Sequence, residues 1–419
     1  MKKPKLILLL LLILSLTACT QPLIEQPAEE PTNPMQAPTE SQPTPAPTPT
    51  ATPTPVQLTG EGDREIFAGD YEWALETYQA ARSSNDPAVV DKANLGIGQA
   101  YYGLDSYAAA LDSLRLAAVS TDSVIAARAN YLMGQIFIAL ERYDEAQSAF
   151  DAYLTLRPEL IDSHVYEIKG DLYNLTGAYT QAIANFQEAY RSDPYGGSDA
   201  LAVKIAVAYQ DSGDVDTALS LYQDLYNTTS NDYTKAQMDL LIGRIYYDRG
   251  DTEQAYGYYQ DAVNNFPFAY DSYAALVTLV NDGVPVNEYQ RGLINYNVGN
   301  YALAAEAFDR FLAAEPEAYA DAALYFKALA VRAAGANNGE ESNEAALQVW
   351  QQLINTYPAS EYFIDAWEDI EYTLWAYMDE PLRAAETALD FVARYPDDPE
   401  AGNFLFLAGR SYERTGDLA

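Results

Sequence analysis

A short sequence pattern returns along most of the chain at an interval of 36 residues, with one step of 37. A small residue is followed, four positions later, by a large apolar or aromatic one. The pairs are Ala74 and Tyr78, Ala110 and Leu114, Ala146 and Phe150, Ala182 and Phe186, Ala218 and Tyr222, and Ala255 and Tyr259. Self-similarity at such a period predicts an array of like units, each burying its apolar face only against its neighbours.

The spacing inside each unit indicates two antiparallel helices that cross closely. A second small residue lies twelve positions before the first, at Gly98, Gly134, Gly170, Ala206 and Gly243, with an aromatic three positions later at Tyr101, Phe137, Tyr173, Tyr209 and Tyr246. Gly177, Gly213 and Gly250 suit a left-handed turn between the helices, and Pro158, Pro194 and Pro267 suit the end of the unit. The pattern resembles the tetratricopeptide repeat. The resemblance implies an all-α fold, a right-handed superhelical solenoid of helical hairpins.

The array becomes irregular after its first six units, which we place at residues 58–269. Over residues 270–419 the sequence predicts an insertion at 279–286, a polar loop at 335–343, and units centred on Ala304 and Phe308, on Ala346 and Trp350, and on Ala385 and Leu389. In the last unit the small residue of the second helix would fall at position 421. We therefore expect a fragment or truncated product, with the apolar residues 404–407 lacking a partner helix.

The first 57 residues are predicted to be a targeting signal followed by a spacer. Residues 1–5 are basic and residues 6–16 almost purely apolar, too short a run to cross a bilayer core, which needs about 20 residues. Leu16-Thr17-Ala18-Cys19 resembles the lipobox of bacterial lipoproteins, which implies a signal peptide at 1–18 and lipidation of Cys19 by acyl chains such as palmitate. Residues 19–57 are rich in Pro and Thr and predict a disordered stalk. The expected location is the extracytoplasmic side of a bacterial envelope membrane.

Composition excludes several classes of function. The chain has 24 Lys plus Arg against 61 Asp plus Glu, a net charge of −37, which disfavours nucleic acid as a partner. A single cysteine, Cys19, and a single histidine, His164, supply neither a cysteine-based metal site nor the usual catalytic pairs. Residues 211–216 superficially suggest a calcium loop but lack its residue order, so a hairpin turn is favoured. We expect no catalytic residue, no metal site and no cofactor in this chain.

The candidate binding surface is the concave groove that the resemblance implies, lined by the first helix of each unit. The register places nine polar and aromatic residues there: Tyr102, Tyr131, Gln135, Glu167, Asp171, Asn174, Gln210, Arg244 and Tyr247. Such a lining suits an extended peptide or protein partner. The first functional hypothesis is therefore a membrane-anchored interaction scaffold.

The second hypothesis is an enzyme of which this chain holds the non-catalytic part. Residues 270–316, with their Gly-Val-Pro-Val and Arg-Gly-Leu phrases, look like the helical arm of soluble lytic murein transglycosylases. The resemblance implies a lysozyme-like domain beyond residue 419 that acts on peptidoglycan. That family's catalytic Glu-Ser motif is followed by further conserved motif residues. Neither Glu341-Ser342 nor Glu40-Ser41 is followed by them, so no catalytic residue is assigned. The alternative is a stand-alone envelope-assembly adaptor without enzyme activity.

Overall fold

A computed structural model of the chain describes residues 53–157, 160–335 and 339–416. In these ranges there are 20 α-helices and no strand. The first ten are α1 (Pro55–Ala68), α2 (Tyr71–Ala81), α3 (Pro87–Gly103), α4 (Tyr107–Ala117), α5 (Ser123–Ala139), α6 (Tyr143–Leu156), α7 (Asp162–Leu175), α8 (Tyr179–Ser192), α9 (Asp199–Asp211) and α10 (Val215–Thr228). The others are α11 (Asp232–Asp248), α12 (Thr252–Asn265), α13 (Tyr270–Asn281), α14 (Glu288–Asn297), α15 (Tyr301–Ala313), α16 (Ala320–Ala334), α17 (Gly339–Thr356), α18 (Phe363–Ala376), α19 (Pro381–Arg394) and α20 (Ala401–Thr415).

Helices that follow one another in the sequence pack against each other. Each of the first six hairpins, from α1–α2 to α11–α12, packs against the helix that follows it. The first helices of the first three hairpins also touch, α1 with α3 and α3 with α5. The hairpins α14–α15 and α16–α17 continue the series, and α18, α19 and α20 close it. The predicted all-α solenoid of tetratricopeptide-like hairpins is confirmed.

The first six hairpins are each held by an aromatic or leucine side chain set over a small residue 16 positions earlier. A Cβ added at Gly134 would lie 2.6 Å from Cζ of Phe150, and one at Gly170 only 2.4 Å from Cδ1 of Phe186. The six predicted alanines are fully buried, and their six large partners are at most 2% exposed. The close helix crossing predicted from the spacing is confirmed, and Gly62 against Tyr78 extends it to α1.

The turn inside each of the first six hairpins contains a residue in the left-handed conformation. Gly177, Gly213 and Gly250 have φ values of 75°, 90° and 82°, as their placement predicted. The equivalent turn positions in two other hairpins are Asp105 and Glu141, with φ of 53° and 57°, a conformation that glycine adopts at lower cost. The hairpin packing imposes the turn on these two residues.

The first helix begins earlier than predicted. Residues 55–57, assigned to the stalk, form the first turn of α1, because proline is tolerated at a helix start and Thr54 caps it. The Gln57 backbone N–H donates to Thr54 Oγ1 at 3.3 Å, and the Thr54 N–H donates to Gln57 Oε1 at 2.8 Å. This capping box fixes the boundary.

The irregular half differs from the prediction in its details. The irregularity is larger than the predicted insertion at 279–286. A whole helix, α13, has no hairpin partner of its own, and only its last three residues fall in that range. The polar loop at 335–343 is shorter than predicted, because α17 begins at Gly339 and the side chain of Asn343 is buried.

The prediction for α19 is confirmed only for its small residue. Ala385 is fully buried, as are Ala384 and Ala388, whereas Leu389 is 39% exposed and Phe391 is the large residue that is buried instead. Phe404 does not lack a partner, since it is fully buried and stacks on Phe391 at 4.0 Å, while Leu405 and Phe406 are exposed.

Several predictions fall on residues that the structure does not describe. Residues 1–52, with the signal peptide, Cys19 and most of the stalk, lie outside the described ranges, as does Pro158. Within the described ranges, no helix is both long and apolar enough to cross a bilayer.

Candidate functional site

The nine candidate groove residues lie on the first helices α3, α5, α7, α9 and α11, and we call them the first-helix face. Asp171, Arg244 and Tyr247 are exposed, and the other six are half-buried. The face is therefore accessible in part, and its residues differ in how far their polar groups are already occupied.

Its centre is an ion-paired cluster that joins two hairpins. Lys204 Nζ of α9 lies 2.8 Å from Glu167 Oε1 and 2.8 Å from Asp171 Oδ2, both on α7. Burial opposes the charge on Lys204, but hydrogen bonds to Asp171 and Glu167 outweigh it and raise the pKa of the lysine. Sequence reasoning missed Lys204, although its distance of about one repeat from both acids was the available signal. The cluster fixes the spacing of α7 and α9.

Other members of the first-helix face are engaged within their own or the next hairpin. Gln210 Oε1 accepts a hydrogen bond from the Tyr222 hydroxyl at 2.9 Å, and Asn174 Nδ2 donates to Asp211 Oδ2 at 3.4 Å. The Tyr131 ring packs edge-on against Phe150 and Tyr153, with centroids 5.8 and 5.7 Å away. These side chains stabilise the array as well as line the face.

Tyr102, Gln135, Arg244 and Tyr247 complete the first-helix face. Tyr102 lies 6.2 Å from the ring of Tyr107, and Tyr247 lies 6.4 Å from the ring of Tyr256. Gln135 hydrogen-bonds Tyr131, whose pKa is nevertheless raised by burial. Arg244 makes no ion pair with any of the described residues. Their assignment as ligand contacts remains a prediction.

A cavity of about 490 Å³ lies between α16, α18 and α20, and its lining is also polar and aromatic. The sequence did not predict it. We call it the acidic pocket and define it by Asp365, Glu368, Asp369, Tyr372, Trp375 and Phe406. Because the repeat register shifts in α18–α20, the sequence period did not predict which of these residues would meet.

The carboxyl groups of the acidic pocket are unequally compensated. Asp369 Oδ1 lies 3.1 Å from Arg332 Nη1, and Asp369 Oδ2 accepts from the Tyr325 hydroxyl at 3.0 Å. Burial raises the pKa of Asp369 and of Glu368, and the neighbouring charge of Asp365 adds to the rise for both. Asp365 and Glu368 have no cation within ion-pairing distance among the described residues. Four carboxylates line the cavity, Asp365, Glu368, Asp369 and Glu371, against two arginines, Arg410 and Arg414, so the lining carries excess negative charge.

Exposed rings stand beside these carboxylates. Tyr372 is 44% and Phe406 61% exposed, and the Arg414 guanidinium stacks over Trp375 at 3.6 Å. Carboxylates next to aromatic faces suit a cationic side chain. In the described ranges no group of three or more His, Cys, Asp or Glu side chains is arranged to hold a metal ion.

Comparison with known families agrees with the repeat geometry. Residues 59–124 and 131–197 match one tetratricopeptide repeat profile, and residues 238–269 match another. These three segments carry tetratricopeptide repeats. No curated protein matches the chain.

Among solved structures, the chain is similar to MamA proteins. A crystal structure of MamA is 19% identical over 41% of this chain and 90% of that chain, with a TM-score of 0.36. A structure of MamA AMB-1 is 20% identical over 42% of this chain and 91% of its own, with a TM-score of 0.35. MamA 41-end from Desulfovibrio magneticus RS-1 is 19% identical over 41% and 92%, with a TM-score of 0.33. The assignment of the fold rests on the hairpins described above.

Proposed function

We propose that this protein is a tetratricopeptide-repeat scaffold, held by a lipid on Cys19 at the outer face of a bacterial membrane, that binds an extended segment of a partner protein. The observation that carries the proposal is the acidic pocket, where Asp365 and Glu368 lack compensating cations beside exposed Tyr372 and Phe406. A lysine or arginine of the partner would fit there. The polar and aromatic first-helix face supports the same kind of ligand.

Site-specific photo-crosslinking tests where the partner binds. We expect a photoreactive residue at Tyr372, 44% exposed, to capture one discrete protein when the full chain is expressed in its native host. The matched control is Leu116 on α4, which is 53% exposed on a second helix. Equal capture of the same protein at both positions would remove the assignment of the pocket.

The charge of the acidic pocket gives a second, quantitative test. The double variant Asp365→Asn with Glu368→Gln is expected to bind the captured partner with an affinity lower by roughly tenfold or more, because charge-assisted hydrogen bonds to the partner's cation are lost. The control is Glu386→Gln with Asp397→Asn, which removes the same charge from exposed sites on and just after α19. Binding measured by biolayer interferometry at two salt concentrations should separate them. If both double variants bind alike, the pocket does not recognise a cation.

Membrane attachment is tested at Cys19. Cys19→Ser is expected to abolish acylation, leave a soluble or uncleaved precursor, and move the protein out of the detergent phase in a partitioning experiment. The physical reason is that a thiol is the nucleophile that takes up the lipid, and several acyl chains are needed for stable anchoring. Metabolic labelling with a palmitate analogue provides the control for acylation itself. Partitioning of the variant into detergent as fully as the wild type would contradict the lipoprotein assignment.

A narrower version of the proposal makes the repeats the non-catalytic arm of a cell-wall lytic transglycosylase. The phrases within residues 270–316 support it. The alternative is a stand-alone envelope-assembly adaptor. An in-frame lysozyme-like coding region after codon 419 would favour the arm, and a stop codon soon after it would favour the adaptor.

A further inference from the structure

A separate cavity lies where α3, α5 and the end of α6 meet the residues that lead into α7. It encloses about 470 Å³, within the range of small-molecule sites. We call it the arginine pocket, after Arg128 of α5 and Arg157, the residue that follows α6. Val124, Leu132 and Ile161 form its apolar walls, and Tyr153 completes it.

Arg128 and Arg157 are two of the eight lysines and arginines in the described ranges that make no ion pair. The protein has 61 acidic residues for 24 lysines and arginines, so most cations find a carboxylate. On the next helices, Arg115 pairs with Asp112 at 3.2 Å, and Arg142 pairs with Glu145. Arg128 and Arg157 make no ion pair with any of the described residues, although both line the same cavity. Two guanidinium groups are therefore available to an anion.

Tyr153 adds a buried donor at the wall of the cavity. The residue is 3% exposed, and its hydroxyl has no hydrogen-bond partner in the described part of the chain. Burial and the charge of Asp162 raise the pKa of Tyr153, and Arg157 opposes them, so the hydroxyl keeps its proton at neutral pH. A buried hydroxyl without a partner is costly and uncommon. An acceptor atom from a ligand would satisfy it after a small adjustment of the wall.

We propose that the arginine pocket binds a carboxylate carried on an apolar body, with Arg128 and Arg157 holding the carboxylate. Guanidinium groups recognise carboxylates through paired hydrogen bonds, and Val124, Leu132 and Ile161 cover the apolar part. Two sources have this chemistry: the last residue of a peptide with an apolar side chain, and a free aliphatic acid. The site does not depend on the partner proposed for the acidic pocket, which lies on other helices.

Isothermal titration of the full chain with two carboxylates and their uncharged amides tests the proposal. The probes are N-acetyl-leucyl-leucine with N-acetyl-leucyl-leucinamide, and hexanoate with hexanamide. At least one carboxylate is expected to bind about tenfold or more tightly than its amide, and the one that binds identifies the source. Binding of neither acid at millimolar concentration, or equal binding of acid and amide, would overturn the proposal.

Variants tie the binding to the pocket. Arg128→Gln and Arg157→Gln are each expected to lower the affinity for the carboxylate about tenfold while leaving the helix content unchanged. Arg115→Gln, on the neighbouring helix α4, is the matched control and should bind as the wild type does. Tyr153→Phe should raise the melting temperature slightly, since it removes a buried hydroxyl that has no partner in the free protein, and should weaken binding of the carboxylate several-fold. Wild-type affinity in both pocket arginine variants would show that the anion binds elsewhere.

Discussion

Replacing Gly170 with leucine is expected to lower the free energy of unfolding by several kcal/mol and to separate α7 from α8. A Cβ at this position would lie 2.4 Å from Cδ1 and 2.5 Å from Cε1 of Phe186. Phe186 is only 2% exposed and has no open space into which it can turn. Overpacking of this kind costs about 1–3 kcal/mol or more, and in a repeat array the loss is shared with the neighbouring units.

Urea unfolding followed by circular dichroism measures this effect. Gly134→Leu, which would collide with Phe150, should behave in the same way. Gln181→Leu on α8 is the control, because the side chain is exposed and the substitution should cost little. Adding Phe186→Ala to Gly170→Leu should recover part of the loss, since it makes room for the new side chain. Similar midpoints for Gly170→Leu, Gly134→Leu and Gln181→Leu would show that the helix crossing is not where the structure places it.

Asp239→Asn is expected to stabilise the protein above neutral pH and to remove much of the pH dependence of its stability. Asp239 of α11 is 1% exposed. Burial raises its pKa to about 9, aided by the charge of Asp261 and the hydrogen bond between the two carboxyl groups. Asp261 already accepts from the Tyr226 hydroxyl at 2.5 Å and from Asn265 Nδ2 at 2.6 Å. Asp239 is thus the member of the pair that holds the shared proton.

The sign of the effect follows from the direction of the pKa shift. Folding raises the pKa of Asp239 from 3.8 to about 9. The unfolded chain therefore loses this proton near pH 4, whereas the folded chain keeps it until about pH 9. Over that range the folded state binds more protons, so the free energy of unfolding falls as pH rises, by up to about 1.4 kcal/mol per pH unit. Asparagine keeps a neutral donor toward Asp261 and has no proton to lose.

Urea midpoints at pH 5, 6.5 and 8 check the prediction. The urea midpoint of the variant should exceed that of the wild type, and the difference should grow with pH. The matched control is Asp248→Asn, at an exposed position of the same helix, which should keep the slope of the wild type. A less stable Asp239→Asn at pH 8 would mean that Asp239 is ionised in the folded protein. The equivalent repeat positions, four residues before Gly98 and Gly134, are the buried Asn94 and Asn130, which supports the tolerance of an amide.

The parts of the fold that the sequence predicted are those that every unit repeats. Ala146 and Phe150 could be placed because the same pair occurs in five other units, and the structure buries both completely. Residues that differ between units escaped prediction. The left-handed turn at Glu141 is one case, since glutamate is disfavoured there and only the hairpin around it imposes the conformation.

The candidate site was predictable only where it follows the repeat period. Glu167 and Asp171 were placed on the first-helix face, but their partner Lys204 needed the distance between α7 and α9. The acidic pocket needed the altered packing of α18–α20, in which Phe391 rather than the predicted Leu389 is the large buried residue of α19. The hydrogen-bonded carboxyl pair of Asp239 and Asp261 depends on side-chain packing between α11 and α12, which no local pattern encodes.

We expect the unpaired helix α13 to mark a point at which the array separates into two blocks. Ser272 ties it to α12, donating to the carbonyl oxygens of Ala262 at 3.0 Å and Phe266 at 2.7 Å. Toward the following hairpin it has fewer ties, among them the hydrogen bond from Asn300 Nδ2 to the Tyr273 hydroxyl at 3.1 Å. Stability in a repeat array is transmitted from neighbour to neighbour, so the weakest interface sets where the chain separates. Under heat or mechanical load, the block ending at α13 and the block beginning at α14 would lose their structure one after the other, with the break at residues 282–287.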